Sequence, residues 1–235
     1  MPAGVSCDKM KGVSFMKKIL LTASVFCAFA LAAETVIDCN YAGQPPVAQS
    51  KFGTPVIQGE TNMAGKPAAL VMNGKNNYIT FPGSNKFSLQ NGGTLYAVIK
   101  PEANEAFGMT FFKNKEFLLG VYQKKFLYFN LMPNVKPDCP LFLPKLEMGK
   151  WMSVAAVVKV TGKDYTVTLY VSGKKPVTKT FKNVNYKATD AEITFGRGWG
   201  STWHFDGAVA LFKAFDKPLS EKEIKALDAE CPVKL

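Results

Sequence analysis

Short apolar runs separated by turn residues make up most of the chain after about residue 68. The runs are rich in Val, Ile, Phe, Tyr and Thr, and Gly, Asn, Lys and Pro stand between them. This pattern is typical of an all-β domain. The clearest predicted strands are YITF (78–81), TLYAVI (94–99), EFLLGVY (116–122) and KFLYFNL (125–131).

The segment from residue 151 to residue 172 predicts a long antiparallel hairpin. Its strands, 151–160 and 165–172, flank a Thr-Gly-Lys-Asp turn. The second strand alternates, so that one face is predicted to be buried and the other solvated or concave. The first face carries Tyr165, Val167, Leu169 and Val171, and the second carries Thr166, Thr168 and Ser172.

Helical periodicity occurs once, near the end of the chain. Ser220 is followed three residues later by Glu223, which is the spacing of a capping box. Leu219 precedes the cap and can pack on Ile224 as a hydrophobic staple. We therefore predict a short surface helix over residues 221–229.

Residues 1–33 have the build of a secretory signal peptide. From Met16, two lysines precede an apolar run that ends in Ala-Leu-Ala, which fits an A-x-A cleavage rule. The run is too short to span a bilayer permanently, and no second run of eighteen apolar residues follows it. We expect translation to start at Met16 and residues 34–235 to form a single domain. The mature protein is then secreted, periplasmic or at the cell surface, without a membrane span.

The chain is basic, and its positive charge comes almost entirely from lysine. The net charge is +11, or +8 without the four lysines and one aspartate of residues 1–33. Nucleic-acid-binding proteins more often carry clustered arginines for bidentate contacts, whereas these lysines are spread along the chain. We therefore expect no nucleic-acid partner and assign the lysines to a solvated surface. A weak attraction to anionic polysaccharide or to a negatively charged cell envelope is the alternative.

Three cysteines follow residue 33, namely Cys39, Cys139 and Cys231. An exported protein meets oxidising conditions, so a disulfide is expected, and the odd number leaves one cysteine over. Cys39 and Cys231 lie near the two ends of the domain, and terminal strands that pair as neighbours would bring them together. We predict that bridge and leave the redox state of Cys139 open.

Four sequence pieces occur in a fixed order within residues 60–228. They are Trp151-x-x-Val154-Ala155, Leu169-Tyr170-Val171-x-Gly173, Phe205-x-Gly207-x-Val209 and Leu219-Ser220-x-x-Glu223-Ile224-x-x-Leu227. Their order and spacing resemble the bacterial laminin-G-like domains of the concanavalin A-like lectin and glucanase superfamily.

The resemblance implies an all-β fold, a two-sheet antiparallel jelly-roll sandwich whose concave sheet often carries the ligand surface. It places the terminal strands side by side, which supports the bridge between Cys39 and Cys231. It does not fix the chemistry, because the superfamily includes lectins, hydrolases and adhesive modules. Many relatives carry an acidic residue in the closing strand where this chain has Ala210. No role of that carboxylate is therefore carried over.

Catalytic patterns are weak in this sequence. The E-x-D-x-x-E motif of related glycoside hydrolases is missing, and Asp190 and Glu192 come nearest to it. A serine or cysteine hydrolase would use His204 as base, with Asp206 on the same face of a strand. No G-x-S-x-G elbow occurs, and Cys139 lies in a proline-flanked loop without a sign of activation. We therefore predict no catalytic residue.

No cofactor or metal site is predicted. A single histidine and the lack of a Cys-x-x-Cys pair argue against zinc. Several laminin-G-like and lectin relatives hold calcium with loop carboxylates and carbonyls. The loops of this chain offer lysine and asparagine instead, and no D-x-D-x-D cluster. Calcium stays an alternative that no motif supports.

The segment GRGWGSTWHFDG, residues 196–207, concentrates scarce residues. It holds the only arginine, the only histidine and two of the three tryptophans, which are Arg197, His204, Trp199 and Trp203. A sugar ring can stack its C–H face on an indole while neighbouring polar groups bind its hydroxyls. We predict a ligand-binding site from these four residues, joined by Tyr170. Trp203 has the alternative of packing inwards, and Trp151 is assigned to the core.

These patterns favour an exported, non-catalytic module that binds a polysaccharide or other glycan, or a cell-surface protein. One alternative is a polysaccharide hydrolase or lyase with an unfamiliar catalytic set centred on His204 and Asp206. Another is a structural or adhesive protein of the cell envelope, whose partner would be a protein.

Overall fold

Strands dominate the fold, as the spacing of the apolar runs predicts. The computed structural model describes residues 33–43, 47–60, 62–65, 67–82, 86–102, 107–132, 138–200 and 203–235. The predicted signal peptide and the start at Met16 lie outside these ranges, apart from Ala33.

Sixteen strands and one α-helix form within the described ranges. In chain order they are β1 (Thr35–Asn40), β2 (Val47–Ser50), β3 (Val56–Gln58), β4 (Asn62–Ala64), β5 (Ala69–Asn73), β6 (Tyr78–Phe81), β7 (Gly93–Pro101), β8 (Phe107–Lys113), β9 (Phe117–Tyr122), β10 (Phe126–Leu131), β11 (Cys139–Pro144), β12 (Met152–Thr161), β13 (Asp164–Val171), β14 (Val177–Phe181), β15 (Ile193–Phe195), β16 (Asp206–Phe215) and α1 (Glu221–Glu230). A 3-10 turn, Leu89–Asn91, precedes β7.

The strands form two antiparallel sheets that pack face to face. Sheet A has the order β14-β13-β12-β7-β16-β1-β2, and β5, with β4 beyond it, pairs with the first half of β16. Sheet B has the order β11-β10-β9-β8-β15-β6-β3. This arrangement confirms the predicted all-β, two-sheet sandwich with one short C-terminal helix.

The main hydrophobic core lies between the two sheets. Alternate residues of each strand point into it, and the apolar face predicted for residues 165–171 of β13 is buried there. Near its centre, the rings of Phe195 and Phe212 stack at 3.9 Å. The ring of Phe111 lies edge-on to these two, at 5.1 and 5.7 Å. These contacts join β8 and β15 of sheet B to β16 of sheet A.

Helix α1 begins where the capping box predicts. The Ser220 hydroxyl accepts the Glu223 N–H at 3.3 Å, and the Glu223 carboxylate accepts the Ser220 N–H at 2.6 Å. Leu219 and Ile224 belong to one apolar cluster, in which they pack with outward residues of sheet A such as Tyr96. Helix α1 therefore covers the middle of the outer face of sheet A. Within the part of the chain that the structure describes, no helix is long and apolar enough to cross a membrane.

Strand β16 pairs with three other strands of sheet A. One of its edges pairs with β5 and then with β1, and the other pairs with β7. The register shifts at Ala210, which is a β-bulge whose carbonyl accepts the N–H groups of Tyr41 and Ala42 at 2.8 and 3.1 Å. The position where many relatives carry an acid is therefore a buried alanine in a bulge.

The predicted bridge between Cys39 and Cys231 does not form, because both residues are free thiols on opposite sides of sheet A. Cys39 on β1 points into the core between the sheets, whereas Cys231 follows α1 and packs in the outer cluster of sheet A. Strand β1 does pair with β16 as predicted. The face on which a strand residue lies depends on its parity, however, and Cys39 has the inward parity.

Candidate ligand-binding face

The described parts of the segment rich in scarce residues, 196–200 and 203–207, lie side by side after β15, and we call them the hairpin. Arg197 and His204 form an antiparallel bridge, and the N–H of Gly198 donates to the carbonyl of Trp203 at 2.8 Å. The hydroxyl of Thr194, on the outer side of β15, donates to the Arg197 carbonyl at 2.6 Å. These bonds hold the hairpin over the outer face of sheet B, between β8 and β6.

The two tryptophans of the hairpin lie towards β8. Trp199 is 40% exposed, and its indole N–H donates to the side-chain oxygen of Asn114 at 3.0 Å. Trp203 is half-buried, with its ring centroid 4.4 Å from that of Phe107 and 5.3 Å from that of Trp199. Trp203 therefore rests on the outer face of sheet B and does not fill the core between the sheets.

Aromatic rings continue from Trp203 to the edge of sheet B. Phe107 is the next ring, with the ring of Tyr122 4.5 Å and that of Tyr128 5.6 Å away. Tyr128 stacks at 4.5 Å on Phe142 of the edge strand β11, and Phe142 is 40% exposed. We call this series the aromatic face. Its members are Phe107, Tyr122, Phe126, Tyr128, Phe142, Trp199 and Trp203.

Strands β8–β11 present an outer surface without charge. Their registers align the outward residues in three cross-strand rows. The rows are Phe112, Leu118, Asn130 and Pro140; Met109, Gly120, Tyr128 and Phe142; and Phe107, Tyr122, Phe126 and Pro144. None of these residues of the four described strands is charged, whereas 20% of the chain is. Met109, Phe112 and Leu118 are buried, whereas the four aromatic residues Phe107, Tyr122, Phe126 and Tyr128 are partly exposed and Phe142 is exposed. An exposed apolar patch of this kind is frequent at interaction sites.

The rings on β8–β11 are missed by sequence reasoning because both faces of these strands are apolar. In β10, Phe126 and Tyr128 point outwards while the alternate residues point into the core. A run without polar alternation predicts a strand buried on both sides. The available signal is the tyrosines at 122 and 128, because a phenol hydroxyl needs water or a polar partner.

Arg197 and His204 lie on the other side of the hairpin, towards β6. The guanidinium carbon of Arg197 is 4.5 Å from the centroid of the Tyr78 ring, and the His204 ring is 6.2 Å from the same centroid. Lys75 and Asn76 join them in lining an open pocket of about 360 Å³, which we call the Arg197 pocket. Burial, and then the charge of Arg197, hold the pKa of His204 below its ordinary value, so this imidazole is neutral at neutral pH.

Tyr170 and Trp151 lie on the opposite side of the sandwich. Tyr170 points outwards from β13 into the cluster beside α1, where burial and the charge of Glu221 raise its pKa. Trp151 precedes β12, packs against the same cluster and lines two open cavities of about 780 and 660 Å³. The structure thus does not bring Tyr170 to the hairpin, and it places Trp151 outside the core between the sheets. The reason is that β12 and β13 belong to sheet A, whereas the hairpin follows a strand of sheet B.

The acidic residues considered for catalysis are scattered. His204 lines the Arg197 pocket, whereas Asp206 begins β16 and lines the 660 Å³ cavity of sheet A together with Glu102. Asp190 and Glu192 are exposed on the segment before β15. Among the residues that the structure describes, no three His, Cys, Asp or Glu side chains are grouped to hold a metal ion.

A fully buried ion pair lies beneath the β8–β9 turn that carries Asn114. The ammonium of Lys113 is 2.7 Å from the Glu116 carboxylate, and both side chains are inaccessible to solvent. Glu116 also accepts the hydroxyl of Tyr186 at 2.5 Å and the N–H of Thr189 at 2.6 Å. Burial and the adjacent carboxylate raise the pKa of Tyr186 well above its ordinary value. Buried charges need such partners, and these contacts fix the turn.

A family model matches two thirds of the chain, and its description is the concanavalin A-like lectin/glucanases superfamily. The match covers residues 73–225, which contain β6–β16 and the start of α1. No curated protein matches the sequence.

Solved structures share the fold at low sequence identity. Domain 4 of AbnA, an extracellular arabinanase of Geobacillus stearothermophilus solved with arabinotriose, has a TM-score of 0.63 and 18% identity, over 83% of this chain and 98% of its own. The receptor-binding domain of botulinum neurotoxin C/D mosaic serotype has a TM-score of 0.64 and 14% identity, over 82% and 50%. The binding domain of botulinum neurotoxin DC, solved with rat synaptotagmin II, has a TM-score of 0.61 and 15% identity, over 82% and 51%. The chain spans about half the length of these neurotoxin domains.

Proposed function

The chain belongs to the concanavalin A-like lectin/glucanase superfamily, and we propose that it is an exported, non-catalytic module that binds carbohydrate through the aromatic face. The observation that carries this proposal is the continuous series of partly exposed rings from Trp199 to Phe142. Helix α1 covers the middle of the outer face of sheet A, whereas on the outer face of sheet B Trp199 and Phe142 are each 40% exposed.

The chemistry of the aromatic face suits sugars. Aromatic rings present flat apolar surfaces that match the C–H face of a sugar ring. Hydroxyl-binding groups lie among and beside the rings, such as the amide of Asn130, the phenol of Tyr128 and the amide of Gln123, which donates to the Tyr122 hydroxyl at 3.1 Å. A few polar groups placed around an apolar surface are the usual composition of a ligand site.

The dimensions of the aromatic face favour an oligosaccharide over a single sugar. Neighbouring strands lie about 4.8 Å apart, so the rings from β8 to β11 extend over roughly 15 Å. The hairpin tryptophans lengthen the face beyond β8. The arabinanase domain of the same fold was solved with a trisaccharide, which supports a ligand of this length.

A binding panel with matched variants tests the proposal. The full chain is titrated calorimetrically with soluble plant, algal and host polysaccharides. Trp199→Ala and Phe142→Ala should each weaken binding by roughly tenfold, which is the loss of about 1.4 kcal/mol of ring contact. Met63→Ala is the control, because Met63 on β4 of sheet A is similarly exposed, at 41%. The proposal fails if no polysaccharide binds, or if both ring substitutions leave the affinity unchanged.

A protein ligand is the second candidate, favoured by the proline and phenylalanine residues of the β11 edge. Pro140, Phe142 and Pro144 add an apolar margin whose side chains carry no hydrogen-bond donor. A neurotoxin domain of the same fold was solved with rat synaptotagmin II. This candidate would be favoured if crosslinking recovers one protein partner and no polysaccharide of the panel binds. Release of reducing ends from the panel, abolished in His204→Ala, would instead favour a hydrolase.

A further inference from the structure

The Arg197 pocket lies at the end of the aromatic face that is nearest to β6. We infer that the bound glycan is acidic, and that Arg197 and Lys75 bind a carboxylate or sulfate group of its chain in this pocket. This inference rests on the proposed function, because it specifies the class of glycan that the aromatic face takes.

The side chain of Arg197 is positioned to bind an anion. Its guanidinium lies over the Tyr78 ring, 4.5 Å from the centroid, which limits its freedom while its edge stays available. Among the residues that the structure describes, no carboxylate pairs with Arg197 or with Lys75. A planar guanidinium binds a carboxylate or sulfate through two parallel hydrogen bonds. The single arginine of the chain is therefore placed where such a group can reach it.

The lining of the Arg197 pocket favours a negative ligand. Lys75 and Arg197 supply two positive charges, and none of the described residues that line the pocket carries a carboxylate. His204 adds a neutral imidazole at neutral pH, because burial and Arg197 lower its pKa. The volume of about 360 Å³ has room for one charged sugar unit.

The wall that carries Lys75 is pre-organised by asparagines. The side-chain oxygen of Asn73 accepts the N–H groups of Lys75 at 3.0 Å and Asn76 at 3.1 Å. The side-chain oxygen of Asn77 accepts the N–H of Asn73 at 2.8 Å, and its amide donates to the carbonyl of Glu60 at 2.7 Å. Because the loop is held by these bonds, little ordering is needed when a ligand binds.

The Arg197 pocket continues the aromatic face. Trp203 and His204 are consecutive, so one faces β8 and the other faces Tyr78 on β6. Strand β15 separates β8 from β6, which places the two sides of the hairpin about 10 Å apart. An extended glycan on β8–β11 therefore reaches the pocket by passing Trp199. Because the acidic group binds only at this end, it also sets the orientation of the glycan along the otherwise neutral aromatic face.

Paired polysaccharides that share a backbone, one acidic and one neutral, test the inference. The probes are polygalacturonate and its methyl ester, carboxymethyl cellulose and hydroxyethyl cellulose, and a sulfated galactan with its desulfated form. The full chain should bind the acidic member of at least one pair about tenfold or more tightly than the neutral member. Arg197→Gln should remove this preference, Lys75→Gln should reduce it, and Trp199→Ala should weaken both members equally. Lys159→Gln, an exposed charge on β12 of sheet A, is the control and should change nothing.

Each outcome separates this inference from the proposed function. Binding that depends on Trp199 but is equal for both members of every pair overturns the inference and leaves the proposed function intact. If none of these probes binds while a neutral polysaccharide of the wider panel does, the inference alone is overturned. If no polysaccharide of the wider panel binds either, both are overturned. If Arg197→Gln lowers the melting temperature, its effect on binding could come from the loss of stability. Lys75→Gln then tests the charge preference instead, because Lys75 is exposed on a loop outside the core. An unchanged charge preference in Lys75→Gln then counts against the inference.

Discussion

The indole N–H of Trp199 donates to the side-chain oxygen of Asn114, a residue 85 positions earlier in the chain, at 3.0 Å. This bond joins the hairpin after β15 to the turn between β8 and β9. It fixes the orientation of the most exposed indole of the aromatic face.

Asn114→Ala should weaken glycan binding without unfolding the protein. A lost neutral hydrogen bond is worth about 1 kcal/mol, so the affinity should fall roughly fivefold. Asn114→Asp keeps an acceptor oxygen and should retain most of the binding to a neutral glycan. Calorimetric titration measures both, and equal losses in the two variants would show that Asn114 does not act through the indole.

Glu116→Gln should be among the most destabilising single substitutions in the chain. It leaves the ammonium of Lys113 buried without its counter-charge, which typically costs about 3–5 kcal/mol. Urea unfolding followed by circular dichroism measures the change in free energy. The double variant Lys113→Met, Glu116→Gln removes both charges and should recover much of the loss. A fully additive double variant would contradict this account.

His204 should titrate below its ordinary pKa of 6.5, since burial and Arg197 disfavour its charged form. It is the only histidine, so its imidazole signals are unambiguous in a proton NMR titration of untagged protein. Addition of an acidic oligosaccharide that binds should raise this pKa, because a nearby negative charge favours the protonated ring. A pKa at or above 6.5 in the unliganded protein would contradict the burial of the ring.

The same shift makes the free energy of unfolding depend on pH below the ordinary pKa of 6.5. The unfolded chain binds the His204 proton more readily than the folded protein does, so the free energy of unfolding falls as the pH drops below 6.5. The loss levels off once the pH is below the folded-state pKa. Thermal melts should show this slope in the native chain and not in His204→Gln. Glu223, whose pKa is lowered by hydrogen bonds from Ser220, loses its contribution only at pH values below its ordinary 4.5.

Cys39 and Cys139 should resist alkylation until the protein unfolds. Burial raises the pKa of Cys39 to about 12 and that of Cys139 to about 11, and the thiolate is the reactive form. Cys231 is half-buried and should react first. Differential alkylation with peptide mapping assigns each residue separately. Recovery of a disulfide-linked Cys39–Cys231 peptide from native protein would require a different arrangement of sheet A and α1.

Most of the fold could be predicted because its signals are local. The run YITF coincides with β6, and the capping box of Ser220 and Glu223 sets the start of α1, which ends one residue beyond the predicted 229. A turn or a cap is determined by neighbours in the sequence. Sequence neighbours do not determine with which strand another strand pairs. They also do not determine which side of a sheet a docked helix covers. That is why Tyr170, which is predicted to join the ligand-binding site, lies instead on the outer side of sheet A, opposite to the hairpin.

The candidate site could be predicted only where the residue types themselves are scarce. Trp199 and Trp203 stand out for that reason, and the structure brings them together at 5.3 Å. Phe107 and Phe142 are two of eighteen phenylalanines, and nothing local distinguishes them from core residues. Their outward direction follows from a register that pairs β8 with β9, β9 with β10 and β10 with β11. A one-residue slip would turn each of them inwards.

The cover that α1 provides for sheet A has a consequence for how the protein can be tethered. Ala33 packs against the outer cluster of sheet A, and Leu235 lines the cavity beside Trp151 on the same side. Both ends of the described chain therefore leave the sandwich on the side opposite to Trp199 and Phe142. Attachment to a matrix, a cell wall or another domain by either end would hold the proposed binding surface away from the support.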